Sequence, residues 1–247
     1  METMDKILHA LTTKKYSDGI TLITPTGDRH VCMERCEFYI KRQTYTGPLQ
    51  WIIADDGIEH FSPGMGQLHL KHKPWSNKVK SFTENIISIL LHIEFNKVLI
   101  IEDDDWYDRK YIDIYRQRLD NYQLVGEGPA RYYHVPTQTY RHLANRHRAS
   151  FCQTGLRAEI LDRLYVSALK QTAFVDARLW SKDCKKFVFQ DKIHCIGMKG
   201  LPGRKGIGIG HRPSKAFHND LNWKVLAKWI GFEDIQFYRG FSQKCES

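Results

Sequence analysis

Four consecutive acidic residues, 102–105 (Glu-Asp-Asp-Asp), directly follow an unbroken apolar run at residues 98–101. A run without polar alternation is typical of a strand that is covered on both faces. Adjacent carboxylates repel one another and resist burial unless a cation accompanies them. Because side chains two apart share one face of an extended chain, Asp103 and Asp105 can point the same way. This pair of oxygen ligands predicts a Mg²⁺ or Mn²⁺ site that holds a phosphate-bearing substrate, and a plain acidic loop is the alternative.

A second acidic stretch, Asp55 and Asp56, follows another apolar run at residues 49–54. Residues 19–25 predict an earlier strand, and residues 29–43 predict a helix between the two. Strand, helix and strand at this spacing form a parallel βαβ unit. Since parallel strands end at one edge of their sheet, both acidic stretches are expected to lie there, where ligands bind. For the earlier stretch the alternative is an Asp-Gly turn without function.

The composition is that of an ordinary globular protein: 247 residues, 42% hydrophobic and 26% charged, enough for one large α/β domain with a substantial core. No apolar run is long enough to span a bilayer, and residues 1–16 are too polar for a signal peptide. The six cysteines lack a C-x-x-C spacing, which favours reduced thiols in a cytoplasmic protein. A net charge of +9 favours a polyanionic partner or a substrate that carries a diphosphate.

Apolar periodicity and turn residues place the remaining elements. These patterns predict a helix that begins at Asp108 and further helices at residues 76–95, 159–170, 177–181 and 221–230. They predict short strands at 67–70, 122–125, 131–135, 151–154, 187–189 and 195–196. Asp28 is a suitable N-cap for the helix at residues 29–43. Residues 197–210 form a basic, glycine-rich loop, which is expected to be flexible and is followed by His211.

These motifs resemble the GT-A glycosyltransferases, in particular the family-two type. The matching segments are residues 20–26, residues 51–57 and residues 98–105, and the last contains a D-x-D element at 103–105. The resemblance covers the first half of the chain well and the second half loosely. It implies an α/β, Rossmann-like mixed sheet flanked by helices, in a single domain of residues 1–247. The donor-binding part would comprise about residues 19–126, and the part that binds the acceptor and closes the site about residues 127–247.

The resemblance further implies a nucleotide-sugar donor, commonly a UDP-sugar, and a divalent cation, Mn²⁺ or Mg²⁺. The expected donor-binding residues are Thr24, Pro25, Thr26, Arg29, Asp55, Asp56, Lys78, Asp103 and Asp104. The expected metal ligands are Asp103, Asp105 and His211. A cation is needed there because the departing diphosphate accumulates negative charge as the bond to the sugar breaks. The glycine-rich loop could close over these phosphates.

An inverting transferase also needs a base that accepts the proton of the acceptor hydroxyl. In the family this is an acidic residue early in a helix, late in the domain. Asp176 has this position, and Asp191 is the second choice; the alternative for Asp176 is a helix N-cap. The chain lacks the family's usual Glu-Asp pair here, so the stereochemical outcome stays open.

The acceptor is predicted from basic segments with interleaved aromatic residues at 71–80, 141–148 and 199–215. Such segments suit nucleic acid, with Arg141, Arg146, Arg148 and Lys205 as the expected contacts. Some phage glycosyltransferases modify hydroxymethylated bases in duplex DNA, and a similar enzyme would work in the host cytoplasm. The alternatives are a surface glycan or lipid acceptor, a metal-dependent nuclease or phosphatase, and a basic binding module without activity.

Overall fold

The computed structural model describes residues 2–62, 64, 67–190, 192–212 and 214–242. Its helices are α1 (Glu2–Thr13), α2 (His30–Lys41), α3 (Lys78–Leu90), α4 (Tyr111–Leu119), α5 (Leu161–Ala168), α6 (Val175–Ser181), α7 (Lys224–Ile230) and α8 (Phe232–Arg239). Its strands are β1 (Ser17–Thr26), β2 (Leu49–Asp55), β3 (Leu68–Lys71), β4 (Phe95–Ile100), β5 (Trp106–Tyr107), β6 (Leu124–Glu127), β7 (Pro129–His134), β8 (Thr139–Ala144), β9 (Thr154–Arg157), β10 (Lys186–Phe189), β11 (Cys195–Lys199) and β12 (His218–Asn219). None of the described helices combines the length and the apolar character needed to cross a bilayer.

The main sheet has seven strands in the order β10-β6-β9-β4-β1-β2-β3. β1 lies between β4 and β2 and is parallel to both, with Ile23 opposite Ile100 and Ile52. β9 runs antiparallel to β4 and β6, which makes the sheet mixed. The predicted parallel βαβ unit is therefore confirmed. Its strands bring Thr26, Asp55 and the residues after Ile100 to one edge.

Both faces of the main sheet are covered, as the unbroken apolar runs predict. Leu22 and Leu99 belong to the core on the face that packs against α2 and α4. Their neighbours Ile23 and Ile100 belong to the core on the opposite face, against α3 and α5. Successive side chains of β1 and β4 thus point into two different apolar layers, so the central strands are fixed in register where the acidic residues begin.

A smaller sheet, in the order β12-β8-β7-β11-β5, lies beside the acidic residues. β5 begins directly after Asp105 and pairs antiparallel with β11, with Ile196 opposite Trp106. β11 also pairs in parallel with β7, where Lys199 lies opposite His134. Through this pairing the last residue of β11, Lys199, reaches the acids that follow β4.

Several local predictions need correction. The N-cap of α2 is Arg29, because Asp28 adopts a left-handed backbone (φ 53°) and its carboxylate accepts hydrogen bonds from the backbone N–H groups of Ile58 and Glu59. Residues 151–153 form a short 3₁₀ turn instead of a strand, and the strand begins at Thr154. The sequence patterns also missed α8 and the strands β5, β8 and β12, and β8 overlaps the basic segment at residues 141–148.

α8 is attached to the core by the buried carboxylate of Asp234. This carboxylate accepts hydrogen bonds from the guanidinium groups of Arg35 (2.7 Å) and Arg42 (2.8 Å), and from the indole N–H of Trp106. The contacts connect the end of the chain to α2 and to β5. Removing one partner of such a network leaves buried cations unpaired.

We expect Asp234→Ala to lower the free energy of unfolding by about 3–5 kcal/mol, because two arginines and one indole lose their acceptor. Urea denaturation followed by circular dichroism measures the loss. Glu233→Ala is the matched control, since Glu233 makes only an exposed 3.6 Å pair with Arg109; its effect should stay within about 0.5 kcal/mol. Equal losses in the two variants would contradict this account of α8.

Candidate active site

The acids that follow β4 are buried: Asp103, Asp104 and Asp105 are 3%, 4% and 1% exposed. The sequence predicted a cation beside these acids, and the structure shows two cationic side chains of the same chain there. These are the guanidinium of Arg29 and the ammonium of Lys199. The acidic cluster is therefore an ion-paired network in the protein interior, and not an exposed acidic loop.

Arg29, at the start of α2, bridges two of the acids. Its Nη1 lies 3.0 Å from Asp103 Oδ1, and its Nη2 lies 2.7 Å from Asp104 Oδ2. The hydroxyl of Thr26, the last residue of β1, donates to Asp103 Oδ2 at 2.6 Å. Both oxygens of Asp103 are thus engaged, which fixes the turn after β4 against the ends of β1 and α2.

Lys199 lies on the other side of the cluster. Its Nζ is 2.8 Å from Asp105 Oδ1, 3.3 Å from Asp104 Oδ1 and 3.7 Å from a carboxylate oxygen of Glu102. Asp105 Oδ1 also accepts from the backbone N–H of Met198 at 2.9 Å. Burial opposes the charge of Lys199, but the surrounding acids, Asp104 foremost, raise its pKa well above the usual value. The lysine is therefore a permanent cation.

The acids themselves differ in protonation. Burial raises the pKa of Glu102 to about 7 and raises that of Asp105 well above its usual range. Burial also acts on Asp104, but Arg29 and Lys199 lower its pKa below the usual value. Asp104 is accordingly the acid of this cluster whose pKa is lowered, which favours its ionised form near pH 7.

A cavity of about 200 Å³ opens beside this cluster. Its acidic and basic side is lined by Pro25, Arg29, Glu102, Asp103, Asp104, Lys199 and His211. Aromatic and polar residues complete the lining, among them Phe82, Phe151, Phe174, Arg141, Arg148 and Asp176. The cavity thus lies between the ends of β1 and β4, the glycine-rich loop and the start of α6.

His211 enters this cavity from a 3₁₀ turn at the end of the glycine-rich loop. Its Nε2 lies 3.6 Å from Asp104 Oδ2. Burial, together with the charge of Lys199, lowers the pKa of His211 to about 3, so the ring is neutral near pH 7. A side chain on Gly206 would overlap the ring at Nε2, and the glycine at that position therefore lets the loop pack on the histidine.

A second cavity adjoins the first and is lined by Pro25, Thr26, Lys78, Arg204 and Lys205, among others. Here the guanidinium of Arg204 pairs with both oxygens of Asp56 and donates to the carbonyl of Gly27. A Cβ on Gly27 would overlap this guanidinium. The glycine-rich loop was expected to be flexible, yet Arg204 ties it to the ends of β1 and β2.

Three predicted donor residues, Thr24, Asp55 and Asp56, are engaged inside the protein and line neither of the two cavities. Asp55 accepts hydrogen bonds from the backbone N–H groups of Gly57 and Phe61, both at 2.9 Å, and so shapes the loop after β2. Thr24 accepts from the indole N–H of Trp51 at 2.9 Å. Asp56 has its oxygens bound to Arg204 and to Asn85.

The other predicted residues divide between the two cavities. Pro25, Arg29, Asp103, Asp104, Arg141, Arg148, Asp176 and His211 line the first, and Thr26, Lys78 and Lys205 line the second. Arg146 lines neither. Asp191 lies outside the described residues. The sequence did not predict the contact of Lys199 with three acids or the ion pair between Arg204 and Asp56.

The three predicted metal ligands have different surroundings in the structure. Asp105 points away from the cavity, and Asp103 has both oxygens engaged. Glu102, Asp104 and Asp105 have oxygens within 4.8 Å of one another, which is the spacing of a metal site. Lys199 already lies among these three. Asp104 and His211 are the pair that both face the cavity and approach each other.

Comparison with known proteins identifies the fold. No family model matches the chain, and no curated protein matches it. Among solved structures, TarS from S. aureus superposes with a TM-score of 0.50 at 12% identity, covering 72% of this chain and 36% of the TarS chain. The fold is GT-A. The GT-A fold expected from the sequence is therefore confirmed. This chain spans about a third of the length of the TarS chain that it matches.

Two further structures are similar at lower scores. TarS 1–349 in complex with UDP-GlcNAc gives a TM-score of 0.45 at 10% identity, covering 74% of this chain and 59% of that chain. HddC from Yersinia pseudotuberculosis gives 0.46 at 12% identity, covering 72% and 92%.

Proposed function

We propose that this GT-A chain is a glycosyltransferase that moves a sugar from a nucleotide-sugar, with a UDP-sugar as the first donor to test, to an acceptor hydroxyl. One observation carries the proposal. Arg29, Asp104 and His211 meet at the sheet edge where GT-A and related folds bind nucleotides, and they share a cavity with Asp176. The cavity therefore combines charged groups that can face a diphosphate with an acid that can accept a proton.

The charges of the cluster favour a metal-dependent reaction. Four carboxyl groups, residues 102–105, face two cationic side chains, Arg29 and Lys199. A diphosphate that enters would meet the ionised carboxylate of Asp104, which repels it unless another cation comes with it. Asp104 Oδ2 and the neutral ring of His211 form a carboxylate and imidazole pair that suits Mn²⁺. Mg²⁺, which prefers oxygen ligands, would bind mainly to the carboxylate. When bound, such an ion supplies positive charge to the leaving diphosphate.

The residues of the chain have distinct tasks in this proposal. Arg29 and Thr26 fix the acidic turn, so that Asp104 keeps one orientation toward the cavity. Lys78 and Lys205 line the adjoining cavity, where they can contact the phosphates or the nucleoside of the donor. Asp176 accepts the proton of the attacking hydroxyl. The sugar then bonds to the acceptor oxygen, and the nucleoside diphosphate leaves with the electron pair of the broken bond.

For the acceptor, the rim of the cavity favours a molecule with phosphate groups. Arg141 and Arg148 line the cavity, and the ring of Phe174 is 56% exposed beside them. Cations that reach phosphates, together with an aromatic ring that can stack on a base, fit duplex DNA with a hydroxymethylated base. Glycan and lipid acceptors are the alternatives to be compared.

Calorimetric titration with UDP tests the proposed donor site. We expect binding in the presence of Mn²⁺ and a large loss of affinity in EDTA. His211→Ala should weaken the Mn²⁺-dependent binding by about 10- to 100-fold, the usual effect of disturbing a metal environment. His92→Ala is the matched control, because His92 is exposed at the end of α3. Unchanged UDP affinity in His211→Ala would contradict the assignment.

A screen of UDP release tests the activity and the acceptor class. UDP-sugars and Mn²⁺ are incubated with hydroxymethylated DNA, with plain DNA or with glycan acceptors, and UDP release in one mixture identifies the acceptor. DNA cleavage with Mg²⁺ and no sugar donor would instead indicate a nuclease. DNA binding that depends on salt but is indifferent to donor and metal would indicate a binding module without activity.

A further inference from the structure

The ammonium of Lys199 occupies a position that resembles a metal site. Glu102, Asp104 and Asp105 surround it with oxygens at 3.7, 3.3 and 2.8 Å, and the same three acids have the mutual spacing of metal ligands. The ammonium donates hydrogen bonds to Asp104 and Asp105, and Glu102 lies at ion-pair distance. We call Glu102, Asp104 and Asp105 the acidic triad. Its negative charge is thus neutralised in part by the ammonium of a lysine side chain.

The fold holds this lysine firmly in place. The side chain of Lys199 is 4% exposed, and the strand pairing of β11 with β5 and β7 fixes its backbone. Its stem passes Gly210, where an added Cβ would lie 2.8 Å from Cγ of the lysine. If the ammonium moved away, it would be buried without a partner, and Asp105 would lose the cation beside it.

We propose that Lys199 is the resident cation of the acidic triad, and that it excludes a divalent ion from the triad while positioning Asp104 toward the cavity. The first part concerns the protein alone. The second part rests on the proposed function, since it implies that a metal brought by the donor is confined to the cavity side of Asp104, next to His211. Lys199 is therefore a positioning residue and does not itself contact the substrate in this proposal.

The physical basis is competition between cations for the same oxygens. A divalent ion within the triad would lie a few ångströms from the ammonium, and like charges at that separation repel strongly in a buried site. Asp105 Oδ1 is also bound to the backbone N–H of Met198, which fixes it toward the lysine. If the ammonium is removed, Glu102 and Asp105 lose the cation beside them and Asp104 keeps only Arg29, while the oxygens of the three acids retain a spacing that suits a divalent ion.

Mn²⁺ binding to the nucleotide-free protein, measured by electron paramagnetic resonance, tests the proposal. Lys199→Ala is expected to gain one bound Mn²⁺ per chain, with an affinity at least about tenfold above that of the wild type and an increase in Tm on adding Mn²⁺. The double variant Lys199→Ala/Asp105→Asn should lose this gain. Lys170→Ala, which removes an exposed lysine at the end of α5, should behave as the wild type.

The wild type provides a second test that does not depend on the folding of Lys199→Ala. Asp104 belongs to the triad and also lines the cavity, so its substitution would affect both places. Asp105 belongs to the triad alone, and its substitution therefore reports on the triad. Weak Mn²⁺ binding by the wild type should be unaffected by Asp105→Asn. The proposal is overturned if Asp105→Asn reduces Mn²⁺ binding by the wild type, or if folded Lys199→Ala gains none. These measurements contain no nucleotide, so failure of the proposed transferase function would leave them interpretable.

Discussion

Asp104→Asn is expected to lower the Mn²⁺-dependent affinity for UDP by at least about 100-fold, or ~3 kcal/mol, and to abolish sugar transfer. Asp104 touches Arg29, Lys199 and His211, so its charge organises the cluster and also faces the cavity. Asparagine keeps the shape of the side chain but removes the charge and one acceptor oxygen. Calorimetry with UDP and Mn²⁺ measures the binding, and UDP release from a UDP-sugar measures turnover.

Asp105→Asn is the informative comparison, because the sequence pattern assigns the metal to Asp105 whereas the structure turns it toward Lys199 and Met198. The amide oxygen of an asparagine can keep the contacts with Lys199 and with the backbone N–H of Met198 that hold Asp105 away from the cavity. We expect its UDP affinity to fall by about threefold or less, under 1 kcal/mol. A larger loss in Asp105→Asn than in Asp104→Asn would restore the assignment made from the sequence.

The sequence was informative where local rules govern. Unbroken apolar runs correctly predicted β1, β2 and β4 as central strands, because a strand buried on both faces tolerates no polar alternation. The ends of parallel strands meet at one edge, so the acids were placed correctly in the fold. The sequence was less informative about the direction in which each carboxylate points. The assignment of individual carboxylates assumed that the extended chain continues through residues 102–105.

That assumption fails because β4 ends at Ile100 and the acids form a turn. The backbone N–H of Asp105 approaches the carbonyl of Glu102 at 3.4 Å. In a turn, side chains two apart no longer share a face, and the alternation that paired Asp103 with Asp105 does not apply. The turn instead directs Asp104 to the cavity and Asp105 to Lys199.

The missed contacts join residues that are far apart in the chain. Lys199 is 95 residues from Asp104, and Arg204 is 148 residues from Asp56. Local patterns carry no information on such pairs. One signal was present, since Lys199 is a charged residue at the end of an apolar run, as Glu102 is. Polar residues that end buried strands are therefore candidates for the same sheet edge, even when their charges are opposite.

Asp176→Asn is expected to reduce kcat by about 10²- to 10⁴-fold, the usual contribution of a general base, while UDP affinity changes little. Asp176 is the second residue of α6, where the helix N-cap is Phe174. Burial raises its pKa, and the nearby Arg148 offsets part of this increase. A base acts when deprotonated, so kcat should fall as the pH drops through the raised pKa of Asp176. Turnover assays across pH, with calorimetry for UDP, measure both quantities.

Two controls separate this role from helix stability and from the neighbouring acid. Asp183→Asn changes an exposed carboxylate shortly after α6 and should leave kcat unchanged. Glu102 titrates with a pKa of about 7, raised mainly by burial and in part by Asp176, so it could also produce a pH-dependent limb. Glu102→Gln would remove a limb that belongs to Glu102 and retain one that belongs to Asp176. If Asp176→Asn keeps wild-type kcat, or loses UDP affinity as much as kcat, Asp176 is not the base, because a base acts in the chemical step and its loss should leave donor binding largely intact.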